Sequence, residues 1–184
     1  LKPHGELFVL NPALRTKADN EALWQAIAGG DIDTVGTDHC SYTKAQKQEN
    51  KNNFDGIPAG LPGIELLLPS MYTMAVHQRK LSLPKLMQIM TANPARIFGL
   101  SSQKGHITPG RDGDIVIFNP HKKWKVNPEN LKMNVDFTPF DGWEMQGAVE
   151  ATYLRGMKIF AQGEFSGPRN QGKFVFGTPS GYCR

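Results

Sequence analysis

The run Asp33-Thr34-Val35-Gly36-Thr37-Asp38-His39-Cys40 sets a carboxylate, an imidazole and a thiol side by side. An acid beside an imidazole can hold a metal or move protons, and a thiol can ligate or attack. The preceding residues favour a strand and follow a helix-like segment stopped by Gly29-Gly30, so the polar group falls where the strand ends. In α/β architectures the carboxyl ends of parallel strands open into the functional cleft. The same residues also fit a plainer reading. Asp38 then caps the next turn, His39 is a satisfied polar residue and Cys40 is a small buried hydrophobe, and spacing by itself leaves that reading ahead.

The elements around this run come in an α/β order. Glu6-Leu7-Phe8-Val9-Leu10 reads as a buried strand ended by Asn11-Pro12. Thr16 and Asp19 form a capping-box pattern ahead of a helix whose Leu23, Ala26 and Ile27 recur at helical spacing. Strand, loop, helix and strand thus make one βαβ unit ending at Asp38. Residues 41–53 are polar, rich in Lys, Gln and Asn, and lack periodicity, which predicts a surface loop at the rim of any cleft there. Residues 54–63 hold too much Gly and Pro for a regular element. Such a stretch is a plain loop, which composition favours, or a stiff loop offering backbone groups to a ligand.

A helix is predicted over residues 64–80, with Leu67, Met71, Met74 and Ala75 inward and a kink or break at Pro69. Ser82 caps a second helix with Leu86, Ile89 and Met90 inside, and Asn93-Pro94 opens a short third one closed by Gly99. Arg96 is expected to pair with a nearby acid. After Leu100 the texture turns to strand. Residues 105–114 are turn chemistry, Ile115 to Phe118 form a strand stopped by Asn119-Pro120, and Val149 to Leu154 with Lys158 to Gln162 form a hairpin about Arg155-Gly156. The last residues, 163–184, read as an extended arm.

Composition narrows the function classes. The chain has 184 residues, 39% hydrophobic and 21% charged, as in ordinary globular proteins. Its net charge of +4 is scattered, and the one basic run, His121 to Lys125, reads as a solvated loop or edge strand, so no nucleic-acid partner is expected. Cys40 and Cys183 give no disulfide framework, which suits a reducing cytoplasm. No apolar run approaches the roughly 20 residues of a membrane span, so no membrane partner is expected. The first residue is Leu1, and the chain reads as a piece of a longer polypeptide.

Several stretches, in this order, carry a resemblance. Asn11-Pro12-Ala13-Leu14-Arg15, Val35 to Cys40, Ile57 to Glu65, Asn93 to Leu100, Gly105 to Phe118 and Thr138 to Trp143 resemble the C-terminal part of the dihydropyrimidinase and hydantoinase group of cyclic amidohydrolases. The Asp-His-Cys triplet is more specific than the Asp-His of the wider superfamily. The resemblance implies an α/β fold: residues 1–104 as the last two strands and following helices of a (β/α)₈ TIM barrel, residues 105–162 as a small β-sandwich domain, and residues 163–184 as an arm.

It further implies hydrolysis of a dihydropyrimidine or hydantoin to an N-carbamoyl amino acid at a binuclear, zinc-like metal centre. Asp38 would ligate one metal and shuttle the proton, while backbone groups at Asn11 and Ala59 would bind the cyclic amide. His39 would support the site without ligating, and Cys40 would be packed. A carboxylated lysine and the metal-binding histidines, including a His-x-His pair, would lie outside this chain, whose histidines include no such pair. A complete barrel takes about 250 residues, so the chain alone is expected to be inactive. The resemblance also implies a homotetramer. The alternative is a non-catalytic scaffold of the collapsin response mediator type, which lacks the acid found here at Asp38.

Overall fold

The computed structural model describes residues 4–178; Cys183 and the last residues of the expected arm lie outside them. Helices dominate the first hundred residues and one antiparallel sheet the remainder, an α/β architecture.

Helix α1 (Lys17–Gly29) begins as its sequence dictates. The Thr16 hydroxyl accepts from the Asp19 amide, the Asp19 carboxylate accepts from the Thr16 amide, and Gly30 ends the helix in the left-handed conformation at φ 97°. Its inward face is Trp24 and Ile27, whereas Leu23, expected inward, is exposed. Ile27 packs with Met71, Ala75, Leu86 and Ile89, the buried centre of the helical part.

Two helical stretches run longer than the prolines in them suggested. A 3-10 turn (Ile64–Leu66) leads into α3 (Leu67–Met71), which continues as a π-helix (Tyr72–Gln78). Pro69 sits in the first turn of α3, where its missing N–H would have no partner anyway, so of the expected kink or break the break does not occur. Likewise α4 (Leu83–Met87), capped by Ser82, passes through a π-turn (Gln88–Ala92) into α5 (Asn93–Ile97) without interruption. The widened turn ahead of Pro94 accommodates a ring that a regular α-turn would reject. Thus α5 begins at Asn93 as expected, but no loop separates it from the helix before it. Arg96 meets its acid: its guanidinium lies 3.1 Å from an Asp33 carboxylate oxygen.

The sheet has the order β1 (Ile115–Lys125), β2 (Glu144–Leu154), β3 (Met157–Ala161), β4 (Glu164–Phe165), all antiparallel. Strand β1 runs on through Asn119-Pro120 because the register shifts between Asn119 and Lys123, and a bulge spares Pro120 from donating to the ladder. His121 to Lys125 therefore end an edge strand. Arg155 and Gly156 both adopt positive φ, 48° and 82°, in the two-residue turn between β2 and β3. The described residues form this single layer, and the second layer of a sandwich is not among them.

The sheet is fastened to the helices at Thr73. Its hydroxyl accepts from the Gln146 amide at 3.0 Å and donates to the Pro69 carbonyl at 2.7 Å. Beside it Tyr72 meets Phe118 edge-on, with ring centroids 4.9 Å apart. The chain beyond β4 turns back to the helices, where the Thr178 amide and hydroxyl both donate to the Gly99 carbonyl, at 2.9 and 3.1 Å.

Two expected strands are absent. Residues 5–8 form a 3-10 turn, and residues 31–38 pair with no strand. A strand is defined by its neighbours, and neither stretch has a flanking ladder among the described residues. Their polar groups are satisfied in other ways: the Asp33 carbonyl accepts from the Asn93 side-chain amide at 2.9 Å.

Candidate active site

Three backbone segments converge beyond the end of the Asp33–Asp38 stretch. Residue 39 bridges Leu61 in parallel fashion, the Cys40 amide donates to the Leu61 carbonyl at 3.1 Å, and the Gly60 amide donates to the Val9 carbonyl at 3.0 Å. The loop carrying Ala59 is thereby hydrogen-bonded to the segment carrying Asp38 on one side and to the segment leading to Asn11 on the other. Asn11, Asp38 and Ala59 are all exposed, so each faces open space from this shared backbone.

Asp38 has φ 45°. Left-handed backbone is uncommon outside glycine, and aspartate is among the residues that tolerate it best. Such conformations persist where the surroundings impose them, and they gather at functional sites. The imposition here is visible on the next two residues: the His39 amide donates to the Thr37 hydroxyl at 3.2 Å, and the Cys40 thiol donates to the Asp38 carbonyl at 3.6 Å.

His39 accepts a hydrogen bond at Nδ1 from the Gly63 amide, 3.1 Å away. Its proton therefore sits on Nε2, and Nδ1 is not open to a metal. Cys40 is half-buried and packs on Gly60. At φ 140° Gly60 occupies backbone that other residues avoid, and a side chain there would overlap both Cβ and Sγ of Cys40. Cβ and Sγ of Cys40 thus fill the space over the Gly60 backbone.

The residue that the sequence did not disclose is Lys47. The stretch expected to be a plain surface loop contains a one-turn helix, α2 (Lys44–Gln48), with a capping box between Thr43 and Gln46. Lys47 projects from it into the structure and is fully buried. Its ammonium donates to the Val9 carbonyl and to the Pro58 carbonyl, each at 2.6 Å. Burial holds its pKa below the usual lysine value. The Thr-x-x-Gln pattern was a legible signal for the turn of helix, but nothing in a polar, lysine-rich run marks which lysine goes inside.

Among the described residues no three His, Cys, Asp or Glu side chains gather as a metal-holding group. Asp38 offers one carboxylate and His39 has committed Nδ1, so these residues do not by themselves fit a pair of metal ions. No helix among them is long and apolar enough to cross a membrane.

The sequence profile of the amidohydrolase family matches residues 9–159. The chain belongs to the amidohydrolase family. Among curated proteins it is similar to a D-phenylhydantoinase of Escherichia coli O1:K1 / APEC, 39% identical over 176 residues, which is 95% of this chain and 38% of that protein. Among solved structures it is similar to D-hydantoinase from a Bacillus sp. AR9, with TM-score 0.92 and 38% identity over 95% of this chain and 38% of that one. Dihydropyrimidinase from Brevibacillus agri NCHU1002 gives TM-score 0.91 and 34% identity over 97% and 40% of the respective chains. The resemblance drawn from the sequence motifs is borne out. The chain spans about 38% of the length of the curated relative it matches.

Proposed function

We propose that this chain is the C-terminal part of a metal-dependent hydrolase that opens a dihydropyrimidine or hydantoin ring to an N-carbamoyl amino acid. The observation that carries this is Asp38, an exposed carboxylate on left-handed backbone, flanked by two loops hydrogen-bonded into one platform. In the reaction, water adds its oxygen to a ring carbonyl carbon and the ring C–N bond breaks. Asp38 takes the water's proton and hands it to the departing nitrogen, which becomes the terminal amide of the carbamoyl group. Backbone groups at Asn11 and Ala59 hold the cyclic amide in place, so that ring carbonyl and carboxylate meet at a fixed distance. Retention of the acid at position 38 separates this reading from the scaffold proteins that resemble it.

The metals, with zinc the natural choice for mixed histidine and carboxylate ligands, take Asp38 together with ligands from outside this chain. The first hundred residues complete a barrel whose other strands flank the two unpaired stretches, residues 105–162 belong to a small β-sandwich, and the intact protein is a cytoplasmic homotetramer.

The test is the intact protein, metal-loaded, assayed by loss of ring absorbance with dihydrouracil and with 5-phenylhydantoin. Turnover is expected for at least one, with a loss of at least about a thousandfold in Asp38→Asn. An inactive intact protein, or an unimpaired Asp38→Asn, overturns the proposal, as would hydrolysis by these 184 residues alone.

A further inference from the structure

Lys47 stands where a charged side chain is least expected. It is fully buried, and its ammonium spans two carbonyls that are far apart in sequence. Those carbonyls belong to Val9, two residues before Asn11, and to Pro58, directly before Ala59. The Val9 oxygen also accepts from the Gly60 amide, so both of its lone pairs are engaged and the two segments share one acceptor. The Tyr42 ring lies over the ammonium, 6.0 Å from its centroid, at the edge of cation–π range.

The helix that presents Lys47 is itself tied down around it. The Lys44 amide donates to an Asp136 carboxylate oxygen at 2.8 Å, and the Gln48 side-chain amide donates to Glu6 at 3.3 Å. A buried ammonium is stable only with its donors used, and two of the three N–H groups of Lys47 meet carbonyls at 2.6 Å. The larger planar guanidinium of an arginine would have to meet the same two oxygens in a different geometry.

We infer that Lys47 is a positioning residue, whose ammonium fixes the Val9 and Pro58 carbonyls and so sets the spacing of the two backbone segments that hold the substrate at Asn11 and Ala59. The inference rests on the ring-opening activity proposed above. It makes no use of Lys47 as an acid or base: its donors face backbone oxygens, and its consequence is for substrate placement. Removing the ammonium leaves the Pro58 carbonyl without this donor and the Val9 carbonyl with Gly60 alone.

The experiment compares Lys47→Met and Lys47→Arg with the parent in the intact, metal-loaded protein. Steady-state kinetics are read with dihydrouracil or 5-phenylhydantoin, and amide hydrogen exchange is read over residues 57–63. Lys47→Met is expected to raise KM tenfold or more with kcat changed less than threefold, and to speed exchange across residues 57–63. Lys47→Arg, which keeps the charge but not the compact geometry, is expected to fall between the parent and Lys47→Met in both readouts. A KM within twofold of the parent for Lys47→Met, or a loss confined to kcat, overturns the inference. If Lys47→Met does not fold, Lys47→Arg decides: a KM at least threefold above the parent supports the clamp, and a smaller change overturns it. If the parent is inactive, the ring-opening reading fails and exchange alone judges the clamp, with protection unchanged in the variants counting against it.

Discussion

The Gly63 amide donates to Nδ1 of His39 across 3.1 Å, joining the residue after the candidate catalytic acid to the far end of the Gly/Pro loop. The imidazole thus serves as a strut. Replacing it with leucine keeps the bulk and removes the acceptor, leaving a partly buried N–H with nothing to donate to. His39→Leu is expected to lower stability by about 1–3 kcal/mol, measured by urea unfolding of the intact protein. His39→Asn, whose side-chain oxygen lies near the Nδ1 position, should recover part of it. Equal stability of His39→Leu and the parent would show that the strut bears no weight.

Gly60 and Cys40 are mutually exclusive with any larger occupant of position 60. Gly60→Ala must strain backbone at φ 140° and push a methyl into the Cys40 side chain, for a loss of roughly 2–3 kcal/mol or more. Adding Cys40→Ala removes Sγ from the collision but leaves Cβ, so the double variant is expected to recover only part of the loss. Full recovery in thermal unfolding would mean that the backbone angle costs nothing.

The turn before β1 is held by a small charge cluster. The Lys104 ammonium lies 2.6 Å from Asp112 and 2.5 Å from Asp114, and the Arg155 amide donates to Asp114 at 2.8 Å. Burial works against ionisation of Asp114, but the Lys104 ammonium and the Arg155 amide outweigh it and hold its pKa below the usual value. The two acids, Asp112 foremost, raise that of Lys104. The Asp114 contribution is accordingly present above its unfolded pKa of about 4 and is lost as pH falls through the lower folded value. The Lys104 contribution is present below about pH 10 and is lost as pH rises through the higher folded value. Asp114→Asn is expected to cost roughly 1 kcal/mol at pH 7, with the difference vanishing towards pH 2. A difference independent of pH in urea titrations would assign the cost to geometry alone.

Local signals were legible where the cause is local. The capping box at Thr16 and Asp19, the stop at Gly30 and the Arg155-Gly156 turn each depend on residues within a few positions, and the structure has all of them. The site's backbone was illegible because its causes are distant. Whether residues 31–38 pair as a strand depends on neighbours far away in sequence, and Lys47 differs from the other lysines of its run only in what surrounds it after folding. The prolines misled for a related reason. Pro69 and Pro94 do break regular α-helix in isolation, but a 3-10 lead-in and a π-turn supply the missing room. Leu23 was placed inward by hydrophobicity, while the larger Trp24 took the core face.

The return of Thr178 to Gly99 has a consequence for how this sequence can drift. A side chain on residue 99 would overlap the Thr178 carbonyl, whatever its chemistry. Position 99 is therefore held to glycine twice, by its own φ of 69° and by a partner 79 residues downstream. Trimming the tail should remove the collision but leave the strain of φ 69° at position 99, so that substitutions poisonous in the long chain become milder in a shortened one.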